Sequence, residues 1–408
     1  MVDATQKIMQ LAKETAEAIW EEVAAAANES RRRELVRHAS TSESHSKLKA
    51  MVACAQSEQE VAISVDDLDQ DHMLFNCKNG TLDLRTGQFR SHRRGDLITK
   101  LAPVAYNPDA DCPRWQQFMN EVMAGNQDKV AFLQRAVGYC LTGDTREQCL
   151  LGLFGQGGNG KSTFLETLKD MMGQDYARQA ARDTFTHRGI GQIPQDLAGM
   201  RGSRLVTLPD FEKGVRLNEA LIKQVTGGDQ ISARHMYKGQ FTYRPTYKLW
   251  LMGNHKPEIQ DATHGMWRRI HLIEFGVKFK KDDTLRGELL KELPGILNWA
   301  VQGCKAWLRE GLEPPREAQE ATAAYRDEMD ELSGFLQACC ICKPGAVTPT
   351  ATLHEAYLQY AGANQEALLD KLAFGEALSE RGFGCKHINR GKARTGISLR
   401  PNTFGVSG

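Results

Sequence analysis

The chain has 408 residues, 25% of them charged and 41% hydrophobic, with a formal net charge of +1. That length suits two or three domains, each able to bury a core, and the near-zero charge excludes a global basic field, so any nucleic-acid contact must use a local patch. No apolar run approaches the length of a membrane span, and the N-terminal MVDATQKIMQLAKETAEAIW carries acids and helical periodicity in place of a signal peptide, so a cytoplasmic protein without membrane contact is expected.

Residues 4 to about 38 place Ile8, Leu11, Ala12, Ala16, Ile19, Trp20 and Val23 at helical spacing, and a second helical stretch runs from about Ser44 to Ala55. Together they read as a helical collar or lead-in over residues 1–70. The run SRRRELVRH, Ser30 to His38, is either a solvated helix face or a basic patch. From His72 the pattern shortens to HMLFNCKNGTLDLRTGQFRSH, where Lys78-Asn79-Gly80 and Thr86-Gly87 mark turns between strand-like runs, so a small β-meander is expected. An extended segment, VAYNPDADCPRW, and two helical runs ending at GYCLTGDT complete an α/β module over residues 71–145.

Residues 151–168 read LGLFGQGGNGKSTFLETL: an apolar run, then glycines, then Lys-Ser-Thr and a helical pattern. This is the order a P-loop requires. Backbone N–H groups of Gly155, Gly158, Asn159 and Gly160 and of the helix start face phosphates, Lys161 reaches the β and γ oxygens, Ser162 supplies a Mg²⁺ ligand, and Thr163 completes the ATP-binding set at the helix start. The implied ligand is ATP or another nucleoside triphosphate with Mg²⁺.

Further on, the apolar strand Leu205–Leu208 ends in Pro209, Asp210, Phe211 and Glu212, where a triphosphatase keeps its metal-organising and water-polarising acids beside the P-loop strand. Asp210 is assigned to the metal through water and Glu212 to the attacking water, with the two roles exchangeable. After the turn Gly227-Gly228-Asp229, a stretch with Arg234, His235 and Lys238 is either a basic hairpin facing a phosphodiester backbone or a solvated sheet edge. KLWLMGNH gives another buried-type strand ending in Asn254, which either senses the γ-phosphate or forms a plain turn. Arg268 and Arg269, just before the strand IHLIEF, can stabilise transition-state charge in cis or as an arginine finger across a subunit boundary.

The set GQGGNGKST, RLVTLPDFEKG, LNEALIKQVTGGDQISAR, KLWLMGNHKP and MWRRIHLIEF, in that order, closely resembles superfamily III helicases, and most of all the C-terminal helicase part of phage and plasmid primases, kin to the poxvirus primase-helicase. FNCKNGTLDLRTG, VAYNPDADCPRW and GYCLTGDTREQ are similar to the module that precedes the ATPase in that family. The resemblance implies an AAA+-like P-loop core over 146–312, with Lys161 and Ser162 on phosphate and Mg²⁺, Asp210 and Glu212 as the acid pair, Asn254 as sensor, and Arg268 or Arg269 as finger. It places Lys223, Asp229, Arg234 and Lys238 in a motif leading to a DNA-tracking hairpin. Many relatives carry glutamate where this chain has Asp210, which leaves open which acid is the general base. The resemblance further implies a hexameric ring on single-stranded DNA, 3′ to 5′ polarity, a primase or other replisome partner, and a phage, prophage or plasmid replicon in a bacterial host. The rival expectation is a nucleotide-switched origin-binding or helicase-loading protein that does not unwind.

After KFKKDD, helices are expected from about Leu285 to Arg309, a boundary at Pro314-Pro315, and a helix over 318–341. Residues 351–408 then read helix, helix and a basic two-stranded element with Lys386, His387, Arg390, Lys392, Arg394 and Arg400, resembling a winged helix that serves DNA or protein contact. Of the ten cysteines only Cys339, Cys340 and Cys342 cluster; His354, Cys385 and His387 are the residues able to complete a zinc set with them on paper. Nothing before Met73 has room for the polymerase-type primase domain that the family often carries, so either a stand-alone helicase or part of a longer primase-helicase is expected.

Overall fold

The computed structural model describes residues 6–59, 62–187, 195–234, 239–260, 264–330, 332–364, 368–388 and 391–401. The chain forms two compact units, Met1–Gln70 and Asp71–Gly408.

The first unit holds three helices, α1 (Lys7–Ala24), α2 (Glu29–Ser42) and α3 (His45–Ala55). The helical periodicity expected to run from residue 4 to about 38 is broken after Ala24, because Asn28 adopts an extended conformation and its side chain accepts the Arg31 N–H, starting a new helix. Its core is small: Ala12, Ala16 and Leu48 are buried, with Met9, Met51 and Val52 packed beside them. In the basic run, Arg31 pairs with Glu34 and Arg33 with Glu29 along α2, so those two arginines belong to a solvated, charge-paired face.

The second unit opens with an antiparallel meander, β1 (Leu74–Cys77), β2 (Gly80–Asp83) and β3 (Gln88–Arg90), and two helices, α4 (Pro113–Val122) and α5 (Gln127–Leu141). Then come β4 (Leu150–Phe154), α6 (Lys161–Tyr176), β5 (Ala177–Gln179), β6 (Leu205–Leu208), α7 (Glu219–Gly227), the hairpin β7 (Ile231–Arg234) and β8 (Gln240–Tyr243), β9 (Lys248–Gly253), α8 (His264–Trp267) and β10 (Ile270–Glu274). Five of these strands form one sheet in the order β10-β4-β9-β6-β5, with every pairing parallel. All of β4 is buried, as a central parallel strand covered on both faces requires.

The order corrects one expectation. The strand ending at Asp210 does not lie beside the P-loop strand; β9, which ends at Asn254, is interposed between them. Adjacency in a parallel sheet is set by crossovers, and no local sequence pattern records it.

Two buried cations fasten the 71–145 segment to the sheet's amino-terminal pole. Arg204, preceding β6, donates to the carbonyls of Leu74 (2.6 Å) and Leu141, with its guanidinium 4.7 Å from the Tyr176 ring centre. Lys248, opening β9, donates to the carbonyls of Thr142 and Asp144 (3.2 Å) and lies 4.6 Å from the Tyr139 ring. Burial pushes the Lys248 ammonium down to about 8.

The helices expected from about Leu285 to Arg309 are α9 (Leu285–Lys291) and α10 (Leu293–Glu310), parted at Glu292 just before Pro294, and α10 packs along α5. The helix expected over 318–341 is also two: α11 (Arg316–Met329) and α12 (Ser333–Cys339). Asp330 breaks it, since its carboxylate accepts the Leu332 N–H at 2.9 Å and pairs with Arg381. The terminal segment is built of α12, β11 (Cys340–Pro349), α13 (Thr350–Asn364), α14 (Lys371–Glu380), β12 (Cys385–Ile388) and β13 (Gly391–Leu399), with an antiparallel sheet in the order β11-β13-β12. Phe335, Leu353, Tyr357, Phe374, Leu378 and Ile397 form its core. The strand β11 was not expected; it is mostly exposed and irregular between Cys342 and Val347. Arg390 lies outside the described residues.

Candidate nucleotide-binding site

At the carboxyl pole of the sheet, β4 ends at Phe154 and the chain passes through Gly155–Gly160 into α6. Gly160 caps α6 at φ 89°, and a Cβ there would lie 2.7 Å from Val122 Cγ1, so only glycine allows α4 to back the loop. Gly155 lies against the Phe275 carbonyl, which a Cβ would meet at 2.2 Å. The segment after β10 is stapled to the loop: the Asn159 amide donates to the Phe275 carbonyl at 2.9 Å, and the Phe279 N–H to the Gly158 carbonyl at 2.8 Å. The N–H groups of the first turn of α6, which begins Lys161-Ser162-Thr163, have no acceptor within the helix and define an anion-receptive terminus.

Lys161 is buried in this loop. Its ammonium donates to the Gly155 carbonyl (2.6 Å), Asn159 Oδ1 (3.0 Å) and Asn254 Oδ1 (3.4 Å). Desolvation lowers its proton affinity, and the nearby Asp210 carboxylate opposes that shift. Asp210 Oδ1 accepts the Asn254 N–H at 3.1 Å, which joins the ends of β6 and β9. Lys161, Asn254 and Asp210, the tips of three strand–loop junctions, therefore converge on one pole, while Ser162 stands exposed on the first turn of α6. A cradle of positive-φ glycines, a buried ammonium held by neutral oxygens and a carboxylate with an exposed hydroxyl nearby are the donor set that a Mg²⁺-bound triphosphate needs.

Glu212 stands apart from this cluster. Its side chain is 82% exposed and pairs at 3.2 Å with Arg182, on the segment that leaves β5. No motif in the sequence marks Arg182; a lone arginine in ARQAARDTF carries no spacing signal.

The two arginines separate sharply. Both precede β10, whose first residue Ile270 is level with Leu150, whereas the P-loop follows Phe154, level with Glu274. They therefore sit at the opposite pole from the P-loop of their own chain, roughly 16 Å away along five strand residues. Arg269 is only 9% exposed, donates to Thr226 Oγ1 at 3.1 Å and to the Gly265 carbonyl, and is held below its ordinary proton affinity by burial and by Arg268. Arg268 is exposed, touching Gln148 Oε1 at 2.6 Å.

Arg234 ends β7, exposed, at the last rung of the β7–β8 hairpin; His235 and Lys238 lie outside the described residues. The base of the hairpin is anchored by the Tyr243 hydroxyl, which donates to the Leu197 carbonyl at 2.6 Å. Among the described residues no group of three or more His, Cys, Asp or Glu side chains converges on a metal-sized site. Cys339 and Cys340 are buried, Cys342 and Cys385 exposed, and the His354 ring bonds the Leu369 carbonyl. No helix among the described residues is long and apolar enough to cross a membrane.

Residues 2–124 match the family described as D5 N terminal like, and residues 153–269 match a family of unknown function. The chain is 27% identical over 294 residues to "Putative helicase L207/L206" of Acanthamoeba polyphaga mimivirus, covering 66% of this chain and 31% of that protein. It is 26% identical over 387 residues to "Putative helicase 022R" of Frog virus 3 (73% and 40% covered), and 20% identical over 329 residues to "Putative primase C962R" of African swine fever virus (74% and 34% covered). The chain thus spans well under half the length of these viral proteins. The apo NrS-1 C terminal region (305-718) aligns with a TM-score of 0.45 at 11% identity, over 72% of this chain and 77% of that one.

Proposed function

We propose, taking as premise this chain's relationship to the primase-helicase family, that it is an ATP-driven translocase of superfamily III that assembles as a ring, of six subunits on the family pattern, and moves 3′ to 5′ on single-stranded DNA in the replication of a phage, prophage, plasmid or virus. The core is then AAA+-like and the terminal α12–β13 segment a winged helix. One observation carries the oligomeric part: the exposed arginine stands at the pole opposite its own P-loop, so it reaches a γ-phosphate only on a neighbouring subunit.

In this reading the P-loop amides and Lys161 neutralise the triphosphate, which offers Lys161 stronger acceptors than the carbonyl and amide oxygens it now holds. Ser162 and Asp210 would hold Mg²⁺, which would supply neutralisation of the phosphate charge. Glu212 orients the attacking water, and Asn254, tied to both Lys161 and Asp210, registers the γ-phosphate. Arg268 of a neighbouring subunit stabilises the developing charge. The product state then moves the β7–β8 hairpin, with Arg234 and the adjacent His235 and Lys238, along the strand. A primase or other replisome protein is the expected companion, and a near-neutral chain suits a ring whose basic residues line only the strand's path.

The test is strand separation on a forked duplex with ATP and Mg²⁺, using Lys161→Ala as the inactive control. Unwinding by wild type alone supports the translocase. The second reading, a nucleotide-switched origin binder or loader, draws on the exposed Lys386, His387 and Lys392 of β12 and β13. It gives ATP-dependent assembly and duplex binding with no strand separation.

A further inference from the structure

Arg268 is held by a residue 120 positions earlier in the chain: its Nη2 donates to Gln148 Oε1 at 2.6 Å. Parallel register brings the two together. Ile270 of β10 lies level with Leu150 of β4, so the residues two places before each strand stand side by side. The Leu150 N–H, donating to the Arg269 carbonyl at 2.7 Å, fixes that register next to the contact. A guanidinium only donates, so the Gln148 amide must present its oxygen.

The loop over residues 142–149 is built to keep Gln148 in place. Its φ is 49°, a left-handed backbone that glycine adopts freely and a residue with a side chain adopts at a cost. Several anchors override that cost. Lys248 donates to the Thr142 and Asp144 carbonyls, the Gln148 N–H to the Thr145 carbonyl at 3.0 Å, and the Glu147 N–H to the Tyr139 hydroxyl at 3.3 Å. The neighbouring Glu147 carboxylate is taken by Trp307 Nε1 at 2.7 Å. The arginine therefore meets a neutral amide and not the adjacent acid. That choice matters for a cation that has to neutralise a phosphate: a carboxylate would orient the guanidinium and cancel its charge, whereas an amide oxygen orients it and leaves the charge whole.

We propose that Gln148 is a positioning residue that orients Arg268 in advance toward the γ-phosphate of a neighbouring subunit. The inference rests on the trans-arginine reading given above. An unheld arginine samples many rotamers, and fixing it in one before the interface closes is worth up to about thirtyfold in turnover. Gln148 does this without touching nucleotide. It precedes β4, whereas the P-loop of the same chain follows β4, so loss of the amide leaves that P-loop intact.

The experiment is steady-state ATP hydrolysis in the presence of oligo(dT) by the 408-residue chain, for wild type, Gln148→Gly, Gln148→Glu and Arg268→Ala. Glycine suits φ 49°, so Gln148→Gly is expected to unfold in urea at the wild-type midpoint, while kcat falls roughly five- to thirtyfold and KM for ATP changes less than about twofold. Mixing it with Lys161→Ala protein restores turnover, because the mixed interface joins an intact P-loop to an arginine that Gln148 still holds. Gln148→Glu keeps an acceptor but cancels the charge, and is slower than wild type as well. Wild-type kcat in Gln148→Gly beside an inactive Arg268→Ala overturns the positioning role and leaves the trans arginine standing, as does a Gln148→Gly defect that mixing does not rescue. An Arg268→Ala protein as active as wild type, or a wild type that does not hydrolyse ATP, removes the reading on which the inference rests.

Discussion

Arg268 and Arg269 are adjacent in sequence and differ in everything that follows from burial, so replacing each by alanine makes the most informative pair of variants. Arg269→Ala removes two charge-assisted hydrogen bonds, to Thr226 Oγ1 and the Gly265 carbonyl, and leaves a cavity beside α7. Hydrogen bonds to charged groups contribute about 1.5–3 kcal/mol each, offset here by relief of the desolvated guanidinium, so a net destabilisation of about 2–4 kcal/mol is expected. Arg268→Ala loses one exposed contact to Gln148 and should stay within about 0.5 kcal/mol of wild type. An arginine finger contributes about 10³-fold or more to turnover, so Arg268→Ala should abolish ATP hydrolysis while folding normally. Urea unfolding measures the first quantity; ATPase of mixtures with Lys161→Ala protein measures the second, because a mixed interface joins an intact P-loop to an intact finger. If Arg269→Ala unfolds at the wild-type midpoint, lacks ATPase and is rescued by mixing, whereas Arg268→Ala is fully active, the assignment of roles by burial is refuted.

Three further outcomes follow from individual residues. His271, on β10 against the edge of Phe132, is pushed down to about 4 by burial. Between pH 6.5 and 4 the unfolded chain binds this proton and the folded one does not, so stability falls as pH drops through that window. The loss is up to about 3 kcal/mol, less to the extent that the half-buried ring stays wet. Acid titration of the unfolding midpoint, compared with His271→Leu, isolates that share, and identical profiles would contradict it. Lys248 gives the complementary case: with its folded value at about 8, stability should rise from pH 8 toward 10.5 in wild type and lack that increment in Lys248→Met. Gly160→Ala should abolish nucleotide binding, since the residue sits at φ 89° and its methyl would meet Val122 at 2.7 Å; undiminished binding of a fluorescent ATP analogue would contradict the cradle described above.

The P-loop was legible because local order suffices for it: an apolar strand, glycines and a Lys-Ser-Thr helix start are contiguous in sequence and in space. The meander was legible for the same reason, its turns being marked by Asn79-Gly80 and Thr86-Gly87. What required structure is set by contacts far apart in the chain. The interposition of β9 between β4 and β6 depends on crossovers, and the strand β11 exists through pairing with β13 some fifty residues later, across a Lys343-Pro344-Gly345 interruption that reads as a break. The end of α11 at Asp330 depends on Arg381, and the division of labour between Arg268 and Arg269 depends on which of two neighbours turns inward. Arg204 and Lys248 left a faint trace, a single basic residue before or at the start of a buried strand, but their acceptors in the 71–145 segment are carbonyls 63 to 130 residues away.

The measurement that bears most directly on the account is steady-state ATPase with single-stranded DNA, duplex DNA or none, on protein whose mass is read by light scattering in the same ATP–Mg²⁺ buffer. Stimulation by single strands, from a particle of several subunits, is the predicted result and joins the P-loop of one chain to Arg268 of another. ATP hydrolysis at full rate by a monomer, indifferent to single strands, would contradict both the trans arginine and the translocase.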